Sequence, residues 1–328
     1  MVRYPAWKKQ EVKKKWQSLI AVFITVVLIF AIFNGFIKSF SLKSFLDKSR
    51  WDGKSPFVSV LSTSSPSLMI FQRDPKRLIY LKLDKSLYLE SGKSDKPLVI
   101  LSELINNHQG EDLSNALALS FGADIRNYIF LKDEISLNED NVEKLFKNFA
   151  SFTTPVALLL KGTQGRIQST NITRIDMIKL WWQVKDISIE NIKLVDFTNL
   201  NEEVIFSNNK KVLGADETSW HFEVSQYLEN RYLNKENIDL EIQNGSLDNK
   251  AGELAAEFAQ SGGFHVTKLN ASEEETGKTM IITHNKNSYE AHYLASIFDC
   301  DIFGNATGDD NLQMTLIVGK DFASKYFK

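Results

Sequence analysis

IDLEIQNGSLDNKAGELAAEFAQSGGFHVTKLN (238–270) is the stretch whose pattern decides the fold class. Ile238, Leu240 and Ile242 alternate with Asp239, Glu241 and Gln243, the period of a half-buried strand. Asn244-Gly245-Ser246 turns the chain. Ala251, Leu254, Ala255 and Phe258 then share one face of a helix that Gly262-Gly263 stops. FHVTKLN returns as a strand. Downstream, KTMIITHN reads as a third strand, and SYEAHYLASIF as a helix with Ala291, Leu294, Ala295 and Phe298 in line. MTLIVGKDF reads as a closing strand, apolar enough to be central. The order β-α-β-β-α-β predicts a ferredoxin-like α+β domain over 236–328, with strand-helix-strand repeated weakly inside it.

Upstream, elements of both periods alternate over 57–200 and predict a three-layer α/β domain. FVSVLS, SLMIF and RLIYLKL are strands separated by the turn residues of STSSPS (62–67) and RDP (73–75). LVILSEL (98–104) fits strand or helix. DLSNALALSFG (112–122) is a helix ended by Gly122, NYIFLK a strand, DNVEKLFKNFA a helix and PVALLLKG (155–162) a buried strand. Asn171 or Thr173 caps a helix through RIDMIKLWWQV, and ISIENIKLVDF is one long strand or a pair. Residues 201–235 read as a polar connector with a strand-like EEVIF, a turn at NNKK and a helix from about Ser219 to Leu228.

The formal net charge of -2 hides a split: +5 in residues 1–16, none in 17–37 and -7 in 38–328. Gln17–Ile37 is long enough to cross a bilayer as a helix, with Trp16 at the interface and a lysine-rich tail held in the cytoplasm. No small-x-small site follows, so the segment reads as an uncleaved signal anchor with the body extracytoplasmic. Residues 38–56 read as a stalk. The near-neutral balance argues against a nucleic-acid surface. The single cysteine, Cys300, excludes an internal disulfide and cysteine-rich metal sites, and its neighbours suggest a small core residue.

Candidate chemistry is sparse. KGTQGR places Lys161 and Arg166 around two glycines, either a phosphate cradle or a tight turn. On a helix, Trp181 and Trp182 point about 100° apart, so at most one is core. Trp182 is then a packing residue or an aromatic platform for a sugar ring. Glu273-Glu274-Glu275 and Asp309-Asp310 lack a calcium-loop pattern, and His108, His284 and His292 form no recognised ligand spacing, so no metal site is expected.

The C-terminal segment resembles the LytR C-terminal domain family. The resemblance rests on Asn244-Gly245, Gly252-x-Leu254-Ala255, Gly263-Phe264-x-Val266, Thr279-Met280-Ile281 and Val318-Gly319-Lys320-Asp321. In that family the domain often follows a LytR-CpsA-Psr domain in an anchored envelope protein. Complete members transfer lipid-linked polymers to peptidoglycan with arginines, aspartates and a divalent metal. Residues 57–200 resemble a degenerate relative. The family's Arg-x-Asp-Thr falls near Ser65-Pro66-Ser67-Leu68, and its Pro-Arg-Asp near Lys82-Leu83-Asp84, which keeps only the acid. Arg73, Arg77 and Arg126 would have to substitute. The resemblance implies a non-catalytic protein that binds peptidoglycan, envelope glycopolymer or other envelope proteins without a cofactor. The alternative it leaves is a diverged phosphotransferase using Asp84 with Mg2+.

Overall fold

The computed structural model describes residues 22–25, 27, 49–94, 96–161, 166–205, 211–233, 239–272, 274–304 and 313–327. Residues 22–25 and 27 are helical; the rest of the predicted anchor, the basic tail and the stalk through residue 48 lie outside this set. Among the described residues no helix is long and apolar enough to cross a membrane. The chain divides into two compact units, 1–49 and 50–328.

The second unit contains three sheets. The first has six strands: β1 (Phe57–Ser62), β2 (Ser67–Arg73), β3 (Lys76–Lys82), β6 (Asn127–Leu131), β7 (Ile167–Thr170) and β8 (Ile192–Asp196), in the order β7-β6-β1-β2-β3-β8. Here β1, β3, β6 and β8 run one way, and β2 and β7 the other. The second is small, β5-β4-β10-β9, from β4 (Tyr88–Glu90), β5 (Leu98–Ile100), β9 (Asn201–Ile205) and β10 (Lys211–Ala215).

Both faces of the six-stranded sheet are covered, as its alternation demands. Val58, Val60, Leu68, Ile70, Ile79 and Leu81 enter one core, with helices α2 (Gly110–Phe121) and α6 (Glu217–Leu228). Phe57, Leu61, Met69, Phe71, Leu78 and Tyr80 enter the other, under α3 (Glu139–Ala150), α4 (Thr153–Lys161) and α5 (Arg174–Val184). The ambiguous run 98–104 is both: β5, then α1 (Leu101–Asn106). Gly122 caps α2 in the left-handed region, φ 56°, and Thr173 caps α5, its Oγ1 accepting from Asp176 N. ISIENIKLVDF resolves into a 3-10 turn, Ile189–Asn191, followed by β8.

One element is corrected. PVALLLKG is not a strand: Thr153–Lys161 is helical. A short apolar run has no period that separates helix from strand, and Ala-Leu-Leu-Leu favours the helix.

The third sheet belongs to the C-terminal segment: β11 (Asp239–Asn244), β12 (His265–Ala271), β13 (Met280–Thr283), β14 (Asp301–Gly304) and β15 (Gln313–Val318), in the order β12-β11-β15-β13-β14. Helices α7 (Asn249–Ser261) and α8 (Tyr289–Phe298) each link two adjacent parallel strands, and α9 (Lys320–Tyr326) follows β15. The internal repeat is therefore two βαβ units, with the closing strand between them. The ferredoxin-like assignment is corrected, because that unit splits its helix-linked strands, whereas β11–β12 and β13–β14 are direct neighbours. In this sheet the strand missing from the sequence reading is β14, four residues and largely exposed, too short to show a period; β4, β7 and β10 of the other two sheets, three to five residues each, were missed as well.

The first of the two cores does not stop at residue 200. It runs from Val58 through Trp220 and Val224 to Phe258, Phe322 and Tyr326. Trp220 is fully buried and stacks on Phe121, ring centroids 4.5 Å apart. Residues 50–56 also belong to this unit. Trp51 packs edge-on against Phe57 and Phe71, and its indole N–H donates to the Ser55 carbonyl at 2.9 Å.

Candidate functional site

The strand directions sort the candidate residues between the two ends of the six-stranded sheet. Leu61 pairs with Ser67 and Ser67 with Lys82, so Asp84 emerges where β1 ends. Arg73 and Arg77 flank the β2–β3 turn at the far end, and Arg126 precedes β6 there too. Between Arg77 and Lys82 lie roughly 17 Å of extended strand at ~3.3 Å per residue. None of the three arginines can clamp a phosphate against Asp84.

Each arginine is engaged where it stands. Arg73 donates to the Gly53 carbonyl at 3.3 Å and lies over the Tyr232 ring. Arg77 donates to Gln72 and lies over Tyr227, and burial lowers its pKa. Arg126 pairs with Asp124 at 2.7 Å. That pair lines a polar cavity with Arg50, Asn127, Asp176, Ser261 and Ser296.

Asp84 closes a local turn instead, its Oδ1 accepting from Ser86 N at 2.8 Å and Ser86 Oγ at 2.7 Å. Lys82 beside it pairs with Asp196 at 3.2 Å, whose carboxyl is held below its ordinary pKa mainly by the Thr198 hydroxyl. Among the described residues no three His, Cys, Asp or Glu side chains gather as metal ligands. A divalent ion thus finds at Asp84 one carboxylate already committed to a serine, which does not fit a metal site.

Arg166 stands apart from these groups. It precedes β7, whose Ile167 pairs with Leu131 at the end of β6, the same end of the sheet as Asp84. Four strand spacings separate the two positions, about 19 Å at ~4.8 Å each. Arg166 sits on the rim of an apolar cavity between this sheet and α3 and α5. Leu61, Met69, Ile129, Leu145, Phe149 and Met177 form much of its wall, with Tyr80 and Asn148 the other polar contributors. Burial pushes the Tyr80 phenol well above its ordinary range. Outside the cavity, Arg166 has a loose neighbour in Asp133, 3.9 Å away, with both side chains about half exposed. The backbone of Lys161 ends α4, while residues 162–165 of the predicted cradle lie outside the described set.

The tryptophan pair divides as helical geometry requires. Trp181 is buried, its N–H donating to the Ser151 carbonyl at 2.9 Å. Trp182 is 62% exposed with the Lys185 ammonium 4.8 Å from its ring centre. Sequence reasoning missed both cavities, because their walls come from strands and helices scattered over more than a hundred residues.

Residues 237–322 match the family model described as LytR cell envelope-related transcriptional attenuator, so this segment is of the LytR C-terminal kind. Solved structures with partial likeness include a transcriptional regulator from Enterococcus faecalis, at TM-score 0.41 and 8% identity over 54% of this chain and 89% of that one. TagV from B. subtilis matches at TM-score 0.39 and 10% identity over 53% and 98%. TagT, a LytR-CPS2A-psr family protein solved with bound octaprenyl pyrophosphate lipid, matches at TM-score 0.35 and 11% identity over 54% and 91%. No curated protein matches in sequence.

Proposed function

We propose that this chain is a membrane-anchored, extracytoplasmic cell-envelope protein that holds the prenyl end of a lipid-linked glycopolymer without transferring it. The observation that carries the reading is the apolar cavity with Arg166 at its rim. Its wall is apolar, Met69 and Met177 are side chains adaptable enough to widen it around a hydrocarbon tail, and in this reading the Arg166 guanidinium meets the phosphate that follows the tail. The separation of Arg73, Arg77 and Arg126 from Asp84 supports binding over catalysis, since a pyrophosphate in transfer needs its charge neutralised at the reacting acid. Residues 17–37 serve as the anchor in this reading, and 1–16 face the cytoplasm.

The test is binding of a fluorescent short-chain prenyl phosphate to the purified full chain. Arg166→Glu and Leu145→Gln should each weaken binding by about tenfold, the loss of one charge-assisted contact or of part of an apolar wall. Asp84→Ala should leave it unchanged. Mg2+-dependent transfer of a lipid-linked glycan, abolished by Asp84→Ala, would overturn the non-catalytic reading.

A further inference from the structure

A second feature concerns the outer surface of α4 and α5. Phe152 is 83% exposed and Val156, one turn further on, is 55% exposed. Trp182 is exposed on the neighbouring helix. Buried Trp181 stands between them, ring centroids 6.4 Å from Phe152 and 6.1 Å from Trp182. Isolated exposed apolar side chains are ordinary; a group of large ones across two packed helices marks an interaction surface.

The occupant follows from where the chain enters. The compact unit begins at Arg50. Arg50 N and Trp51 N donate to the Asp176 carboxylate at 3.0 and 3.3 Å, and Lys179 Nζ donates to the Trp51 carbonyl at 2.6 Å. Asp176 and Lys179 stand six and three residues before Trp182 on α5, about 9 and 4.5 Å along the helix axis, so the chain enters the unit on the same helix as Trp182, within about two turns of it. Segment 17–37, read as the anchor, ends twelve residues before the unit begins. A tryptophan with a lysine over its ring, beside phenylalanine and valine, has the chemistry of the headgroup–acyl boundary.

We propose that Phe152, Val156 and Trp182 form a foot that rests in the bilayer interface and holds the body against the leaflet from which its anchor emerges. The proposal rests on the anchored reading above. The test uses the full chain in liposomes, with Cys300→Ser removing the native thiol and an environment-sensitive fluorophore on Phe152→Cys, Trp182→Cys or the control Phe222→Cys. Phe222 is 73% exposed on α6. The labels at 152 and 182 should shift to the blue and lose most of their emission to lipids spin-labelled near the headgroup, while the label at 222 should respond to aqueous iodide alone. If the chain floats with vesicles after alkaline carbonate but the labels at 152 and 182 behave like the one at 222, the foot is refuted and the anchor stands. If carbonate strips the chain, both readings fall. A label at 182 that stays exposed on vesicles and is shielded by wall fragments or a bound protein also overturns the foot.

Discussion

Gly122→Ala probes the junction on which the single compact body depends. Gly122 ends α2 at φ 56°, where an L-residue with a Cβ costs about 1–2 kcal/mol. The added methyl would stand 2.7 Å from Glu257 Oε2 and 2.8 Å from His221 Nδ1, closer than carbon tolerates. Both side chains can swing aside, but His221 would then lose its 3.1 Å contact with the Phe121 carbonyl, worth about 1 kcal/mol. The sum is about 2–3 kcal/mol. At roughly 2–4 °C per kcal/mol for a domain of this size, the melting temperature should fall by about 5–10 °C. Asn tolerates the left-handed region, so Gly122→Asn should recover the backbone part and lie between. Calorimetry gives the midpoint, and near-ultraviolet circular dichroism reports the Phe121–Trp220 stack. Because Ser261 Oγ donates to the Gly122 carbonyl at 2.7 Å, both halves of the body should melt together. A shift below about 0.5 kcal/mol, or two transitions of which only one moves, would refute the argument.

Two further outcomes are expected. Burial, with Asp321, Asp301 and Asp299 nearby, pushes the Cys300 thiol up to about 12, so iodoacetamide at pH 8 should leave Cys300 unmodified in the native chain and alkylate it in denaturant; rapid native alkylation would contradict this. The Asp216 carboxyl, which caps α6, is held below its ordinary pKa chiefly by the Ser219 hydroxyl and then by Ser219 N–H. A depressed native pKa stabilises the fold above the ordinary carboxylate value, and that contribution is lost as pH falls through the native value. Asp216→Asn should therefore flatten the acid limb of a pH–stability curve, and an unchanged slope would show that the cap does not titrate.

Most strands were legible because their side chains alternate against two cores. Leu68, Ile70 and Met69, Phe71 face opposite ways on β2, and a sequence shows that directly. Caps were readable too: Gly122 was read outright, and of the two candidates Asn171 and Thr173 the second is the cap. Helix α4 was not, since a buried apolar run looks the same in either state, although the Thr-Thr-Pro that opens it is a first-turn signal. Strand β14 could have been found from the repeat: a strand and a helix after β12 call for a second parallel partner. The apolar cavity and the arrangement of the arginines could not, because both follow from strand order, which local pattern does not contain.

The last helix has a consequence for how the chain is made. Asn115 on α2 donates to the Lys325 carbonyl, 210 residues later, and Phe322 and Tyr326 pack edge-on against Phe258. Contacts of that span form late, since a long loop must close before they reward it. The sides of α2 and α7 that meet this helix are therefore covered only once residues 320–326 have been made. Because synthesis runs from the N-terminus, the interval before α9 docks sets how long those two helix surfaces stay open to proteases and misassociation.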